Sequence, residues 1–172
     1  MSRRAFLLTG LFWLALVGGL LGFKQFTLSS GQQVLLRTVP VDPRDLFRGD
    51  YVILRYEISS FPSGTLNLDA EDPRAWMGRR VYVPLAVEGG YGRATGIGFE
   101  RPRGLYLNGS LRARGPDDWT VDYGIESYFV PEGAGRAIET RGGEDLDVRV
   151  AIDRFGNAAI VALLVDGEEI SF

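Results

Sequence analysis

Apolar and polar positions are distributed along this chain in two distinct ways. From Ala5 to Phe23 they do not alternate at all: "AFLLTGLFWLALVGGLLGF" is one uncharged apolar run, preceded by Arg3 and Arg4 and followed by Lys24. Nineteen residues at about 1.5 Å each nearly cover a bilayer core of roughly 30 Å. Beyond residue 33 the period becomes two, which is the signature of strands with one buried face. Residues 34–41 read as a strand. In "DYVILRYEIS" (50–59), Val52, Leu54, Tyr56 and Ile58 share one face, with Tyr51, Ile53, Arg55 and Glu57 on the other. Val81, Val83, Leu85 and Val87 define a further strand, with 94–100 as its expected partner. Leu105, Leu107, Leu111 and Ala113 alternate with polar residues, as do Trp119, Val121, Tyr123 and Ile125, and then Leu146, Val148, Val150 and Ile152. "DRFGN" (153–157) and Asp166-Gly167 read as turns around the apolar strand 158–165.

Between these strands lie turn-rich segments. Residues 42–49 enter the second strand. "DPRAWMG" (72–78) is expected to form one helical turn, with Asp72 as cap and Pro73 at the first helical position. Residues 131–141 suit a short helix with acid early and base late. Eight or nine strands at such intervals, with no long crossover helix, predict a mainly β fold: an antiparallel sandwich or barrel-like domain with one or two short helices, preceded by an N-terminal transmembrane helix. The organisation expected is an anchor at 1–24, a linker at 25–33 containing the polar "TLSSGQQ", and a β-rich domain at 34–172.

The apolar run lacks the small-residue exit of a cleavable leader, so it reads as an uncleaved anchor. The two arginines favour a cytoplasmic N-terminus and place the remainder outside the cytoplasm. A cleaved signal peptide, or export through the twin-arginine route suggested by "SRRAFLL", are the alternatives. Three of the 19 basic residues flank the run, which leaves 16 against 22 acids and a net charge of −6 for the rest. An acidic domain is a poor match to nucleic acid.

Composition narrows the chemistry. The chain has no cysteine and no histidine, so thiolate chemistry, disulfides and the commonest general base and metal ligand are excluded. No cofactor is expected. "DAED" (69–72) lacks the spacing of a calcium loop and reads as a cap for the turn that follows. "GYGRATG" (90–96) follows a strand but precedes glycine and proline rather than a helix, and reads as a flexible hairpin instead of a dinucleotide loop. Trp76 and Trp119 are candidates to stack on a sugar, although Trp119 alternates with core positions. "RGD" (48–50) matches an adhesion tripeptide, a short match that arises by chance.

One stretch carries a signature. "GDYVILRY" fits G-D-Y-x-x-L-x-Y at Gly49, Asp50, Tyr51, Leu54 and Tyr56, and "YFVPEGAGRAIE" (128–139) resembles a second stretch of the same family. The chain therefore resembles the GDYXXLXY family of bacterial proteins, whose function is uncharacterised. The resemblance implies a hydrophobic start and association with a membrane-protein partner. Physically, Gly49 permits a sharp strand entry, Asp50 can accept turn amides, and Leu54 and Tyr56 face the core. The rival reading is a shallow binding site of Arg48, Tyr51 and Arg55 for an anionic group such as the carboxylate of Glu132, which follows Pro131 in the second stretch, or for a partner protein. The entry "PRDLFRGDYVIL" also resembles that of signal peptidases and LexA-type proteases. Those families place a serine just before the proline and a lysine on a later strand. Here 37–42 reads "RTVPVD", with Thr38 the sole hydroxyl, and the chain's one lysine is Lys24, so the nucleophile–base pair is missing.

The function expected is a non-enzymatic, membrane-anchored accessory or scaffold subunit of a bacterial envelope complex, held by lipid through residues 5–23 in the inner membrane. The alternative is an extracytoplasmic ligand-binding or hydrolytic domain using the face around the motif.

Overall fold

The computed structural model describes residues 3–39, 51–62, 65–66, 76–113, 118–131 and 146–170. Helix α1 (Arg3–Ser30) is followed by β1 (Gln32–Arg37), β2 (Tyr51–Ile53), a 3-10 turn (Glu57–Ser59), β3 (Ser60–Pro62), β4 (Arg80–Glu88) and β5 (Tyr91–Ala94). Then come β6 (Tyr106–Ala113), β7 (Asp118–Asp122), β8 (Ser127–Phe129), β9 (Leu146–Ile152), β10 (Ala158–Val165) and β11 (Glu168–Glu169). The fold is mainly β with one N-terminal helix, as the alternation predicts.

Nine strands form one mixed sheet in the order β11-β10-β9-β1-β5-β4-β6-β7-β3, and β2 pairs with β8 in a second, two-stranded sheet. Among the described residues every pairing is antiparallel except β1 with β5, where Leu35 lies opposite Tyr91. Among the described residues β11 and β3 have one neighbour each, so the sheet does not close into a barrel. The core is a single cluster. Val34, Leu36, Val148, Val150 and Leu163 come from one end of the large sheet, Val81, Val83, Leu107, Leu111 and Val121 from the other. Val52, Leu54, Tyr56 and Val130, from β2 and β8 and the residues that follow them, join the same cluster. Burying these side chains on one face of each strand is what fixes the register, because a slip of one residue would turn every core side chain outward.

Three local expectations change. The partner of β4 is β5 at 91–94, not 94–100, because Gly89 and Gly90, with φ of 60° and 89°, close a two-residue hairpin directly after β4. Residues 95–100 contribute only one bridge, Gly98 to Tyr82. The strand expected over 50–59 is broken. Its inward face is as predicted, with Val52, Leu54, Tyr56 and Ile58 buried, but the chain changes partners along it. Residues 51–53 pair with β8, Tyr56 bridges to Thr38, and 60–62 pair with β7. The 3-10 turn between them makes that corner, closed by the Ser59 amide on the Tyr56 carbonyl at 3.0 Å.

The third change concerns the expected linker at 25–33. Helix α1 runs through it to Ser30, and β1 begins at Gln32. The amide of Gly31 closes the last turn on the Thr27 carbonyl at 3.0 Å. A Cβ on Gly31 would stand 2.5 Å from that carbonyl oxygen and 2.9 Å from the Ile152 amide nitrogen, so helix and sheet meet closely at a residue with no side chain. Thr27 is buried, and its hydroxyl donates to Asp153 Oδ2 at 3.1 Å. The helical turns expected at 72–78 and 131–141 fall largely outside the described residues, as does "DAED".

Candidate functional site

The residues singled out by the family motifs divide into three groups. Arg48, Gly49, Asp50 and Glu132 lie outside the described residues. Tyr51 opens β2, opposite Phe129 of β8. Arg55 is half-buried and accepts the Val39 amide on its carbonyl at 2.8 Å, Tyr56 is fully buried, and Pro131 is exposed. The β2–β8 pairing therefore sets Tyr51 and Val52 of the first family stretch opposite Phe129 and Tyr128 at the start of the second, running antiparallel, with Ile53 opposite Ser127 just before it.

The corner after β2 is tied to the turn before β8 by a pair of crossed tyrosine bonds. Tyr56 donates its hydroxyl to the Ile125 carbonyl at 2.6 Å. Tyr123, at the end of β7, donates in the opposite direction to the Ile58 carbonyl. Each ring fills the core while its oxygen ties the corner 54–58 to the turn 122–126. Leu54 adds a backbone bond to the Glu126 carbonyl at 2.8 Å. The Glu126 carboxylate caps the same turn, accepting the amides of Tyr123 and Gly124.

The electrostatics follow from burial. Desolvation, and secondly the Glu126 charge, push both tyrosine hydroxyls far above their ordinary range, so both are locked as neutral donors. Burial also raises the Glu126 carboxyl, and the backbone amides it accepts only partly offset this. Asp153 goes the other way. Burial alone would raise it, but bonds from the side chain and amide of Asn157, the Phe155 amide and the Thr27 hydroxyl outweigh that and lower it. An ionised carboxylate therefore stands at the junction of helix and sheet.

Other candidates resolve as follows. Thr38 spends its hydroxyl on the Leu146 carbonyl. Trp119 is buried in the core, as its alternation predicts. Trp76 is half-buried against Phe99, with ring centroids 5.1 Å apart and the Arg79 guanidinium over both rings. The "GYGRATG" segment is strand β5 and its hairpin. Among the described residues no group of three acidic side chains is arranged to hold a metal ion. Sequence reasoning missed Tyr123, Glu126, Thr27 and Asp153 as polar centres. For Asp153 a signal existed, since "DRFGN" is a turn whose first residue commonly caps the amides after it.

Helix α1 is exposed all round from Phe6 to Gly22. Phe6, Leu7, Leu8, Leu11, Phe12, Trp13, Leu14, Val17, Leu20 and Leu21 are all exposed, and the stretch Phe6–Ser29 is long and apolar enough to cross a membrane. Fold and site together define a mainly β domain carried on an apolar N-terminal helix, with its motif strands locked by buried tyrosines. The chain belongs to the GDYXXLXY protein family, whose model matches residues 13–163. No curated protein and no solved structure matches it.

Proposed function

We propose that the chain is a single-pass anchored, non-enzymatic subunit that presents its β domain on the extracytoplasmic side of a bacterial inner membrane, as an accessory or scaffold to a membrane-protein partner. The observation that carries this reading is the junction. An apolar helix exposed on all sides has no stable place in water, and here it ends against a buried hydrogen bond, Thr27 to Asp153, instead of a flexible tether. Such a junction holds the domain at a set height and orientation over the bilayer, which suits a scaffold. Arg3 and Arg4 before the span favour a cytoplasmic N-terminus. The described motif residues support a structural role for the signature, because Leu54 and Tyr56 are spent inside the core.

A second reading has one specific observation in its favour. The β2–β8 pairing brings Tyr51 and Val52 of the first family stretch to Phe129 and Tyr128 at the start of the second, as a ligand-binding face shared between the stretches would require. Isolation of the full chain from native membranes in mild detergent separates the two. A reproducible, stoichiometric membrane-protein companion supports the scaffold. A chain that comes alone, and whose thermal stability rises on adding a small anionic ligand, supports the binding face.

A further inference from the structure

The turn that follows β9 occupies a particular place. Strand β9 runs toward the helix, and its last residue, Ile152, is paired with Gln32, the first residue of β1. Residues 153–157 therefore project past the start of the sheet, on the side from which α1 arrives. The Thr27–Asp153 bond sets this turn beside the last turns of the helix, and Thr27 lies inside the stretch able to span a bilayer.

The turn carries a cationic and aromatic group. Phe155 is 42% exposed, and the Arg154 guanidinium lies 4.7 Å from its ring centroid. Arg101, from the segment before β6, reaches in to donate to the Arg154 carbonyl at 2.6 Å, with its guanidinium 5.7 Å from the Phe155 ring centroid. Both arginines are exposed, and among the described residues neither makes an ion pair. In a domain with a net negative charge, these two cations sit together at the turn whose Asp153 meets Thr27 of the helix.

Most backbone groups of this turn are paired, within the turn or with residues 101–108. The carbonyls of Asp153 and Asn157 accept the amides of Gly156 and Asp153, both at 3.0 Å. The Arg154 carbonyl takes Arg101 and the Tyr106 hydroxyl, Phe155 takes Asn108 Nδ2, and Gly156 takes the Asn108 amide. The Asp153 carboxylate accepts the amides of Phe155 and Asn157. This favours contact with lipid, because a backbone group that is already paired loses little when it leaves bulk water. Exposed aromatic and basic side chains at that level are the residues that anchor proteins at the interface.

Resting on the reading of α1 as a membrane span, we propose that the β9–β10 turn and Arg101 form a second, lipid-binding contact: Phe155 enters the headgroup region of the leaflet from which α1 emerges, and Arg101 and Arg154 bind the phosphates of anionic phospholipids there. Helix and turn then fix the domain at two points, which sets its rotation about the helix axis as well as its height.

The chain has no native cysteine, so single nitroxide labels can be placed in the full-length protein in vesicles of phosphatidylcholine with and without phosphatidylglycerol. Phe155→Cys reports on the turn, and Leu16→Cys on the middle of the span. Glu168→Cys reports on the opposite end of β9, about 20 Å further off at some 3.3 Å per residue. The label at 155 is expected to collide more with oxygen than with a water-soluble nickel chelate, and more so with phosphatidylglycerol present; R101Q/R154Q should abolish that lipid dependence. The label at 168 should favour the nickel chelate throughout. A label at 155 indistinguishable from that at 168, while the label at 16 is immersed, overturns the proposal and leaves the span intact. A label at 155 shielded from both reagents only when a second protein is reconstituted overturns it in favour of a protein contact. A water-exposed label at 16 overturns the span and the proposal with it.

Discussion

Replacing Tyr56 with phenylalanine removes one oxygen from the centre of the family motif and leaves the ring that fills the core. The hydroxyl donates to the Ile125 carbonyl at 2.6 Å, and both residues are buried. The loss is therefore a net hydrogen bond of about 1 kcal/mol plus the cost of a buried acceptor left short of a partner, together about 2 kcal/mol. In a domain of this size, each kcal/mol moves the melting temperature by roughly 3 °C, so Tyr56→Phe should melt about 6 °C lower. Tyr123→Phe removes the reverse bond, to Ile58, and should cost a similar amount. Because the two bonds hold the same corner from opposite sides, the double variant should lose less than the sum, by about 0.5–1 kcal/mol. Thermal melts of the four full-length proteins in one detergent, followed by circular dichroism, read this directly. A Tyr56→Phe protein within about 0.5 kcal/mol of the parent, but no longer recovered with a membrane protein that copurifies with the parent, would refute the structural reading and make the hydroxyl a recognition group.

Alkali should act through the same pair. Their folded pKa values lie far above the ordinary one, so their contribution is complete below about pH 10 and is lost as pH rises beyond it. A phenolate titration followed in the ultraviolet should show Tyr56 and Tyr123 ionising only when the fold is lost. Asp153→Ala should cost about 2–4 kcal/mol, since a buried carboxylate accepting several hydrogen bonds is removed. The Asp153 carboxyl is lowered in the fold, so its contribution is present above about pH 4 and lost as pH falls through the depressed value; the variant should lack that acid limb. Gly109→Ala should destabilise by about 1–3 kcal/mol in a melt, because its Cβ would stand 2.3 Å from Val121 Cγ1 and 2.8 Å from the Asp122 carbonyl oxygen.

Much of the fold was legible because strands with one wet face must alternate. Val81, Val83 and Leu85, or Val148, Val150 and Ile152, are each buried at the spacing their sequence shows. Turn chemistry was legible for the same local reason, as at Asp166-Gly167, where both residues have positive φ. What failed to show was whatever depends on distant chain. The parallel β1–β5 pair joins segments more than fifty residues apart. The break after Ile53 arises because the segment trades β8 for β7, which no local pattern records. Tyr56 was correctly placed on the core face, but its hydroxyl partner lies 69 residues away. "TLSSGQQ" is polar enough to be a linker and becomes the end of a helix because Thr27 finds Asp153, 126 residues on.

The central claim is that α1 crosses the membrane and the β domain stands outside the cytoplasm. The most direct measurement is labelling of full-length Glu168→Cys, in spheroplasts, with a maleimide that cannot cross the membrane. The expected result is full labelling before lysis, with the chain retained in the membrane after an alkaline carbonate wash. Labelling only after lysis, or release of the chain into the wash, would contradict the account.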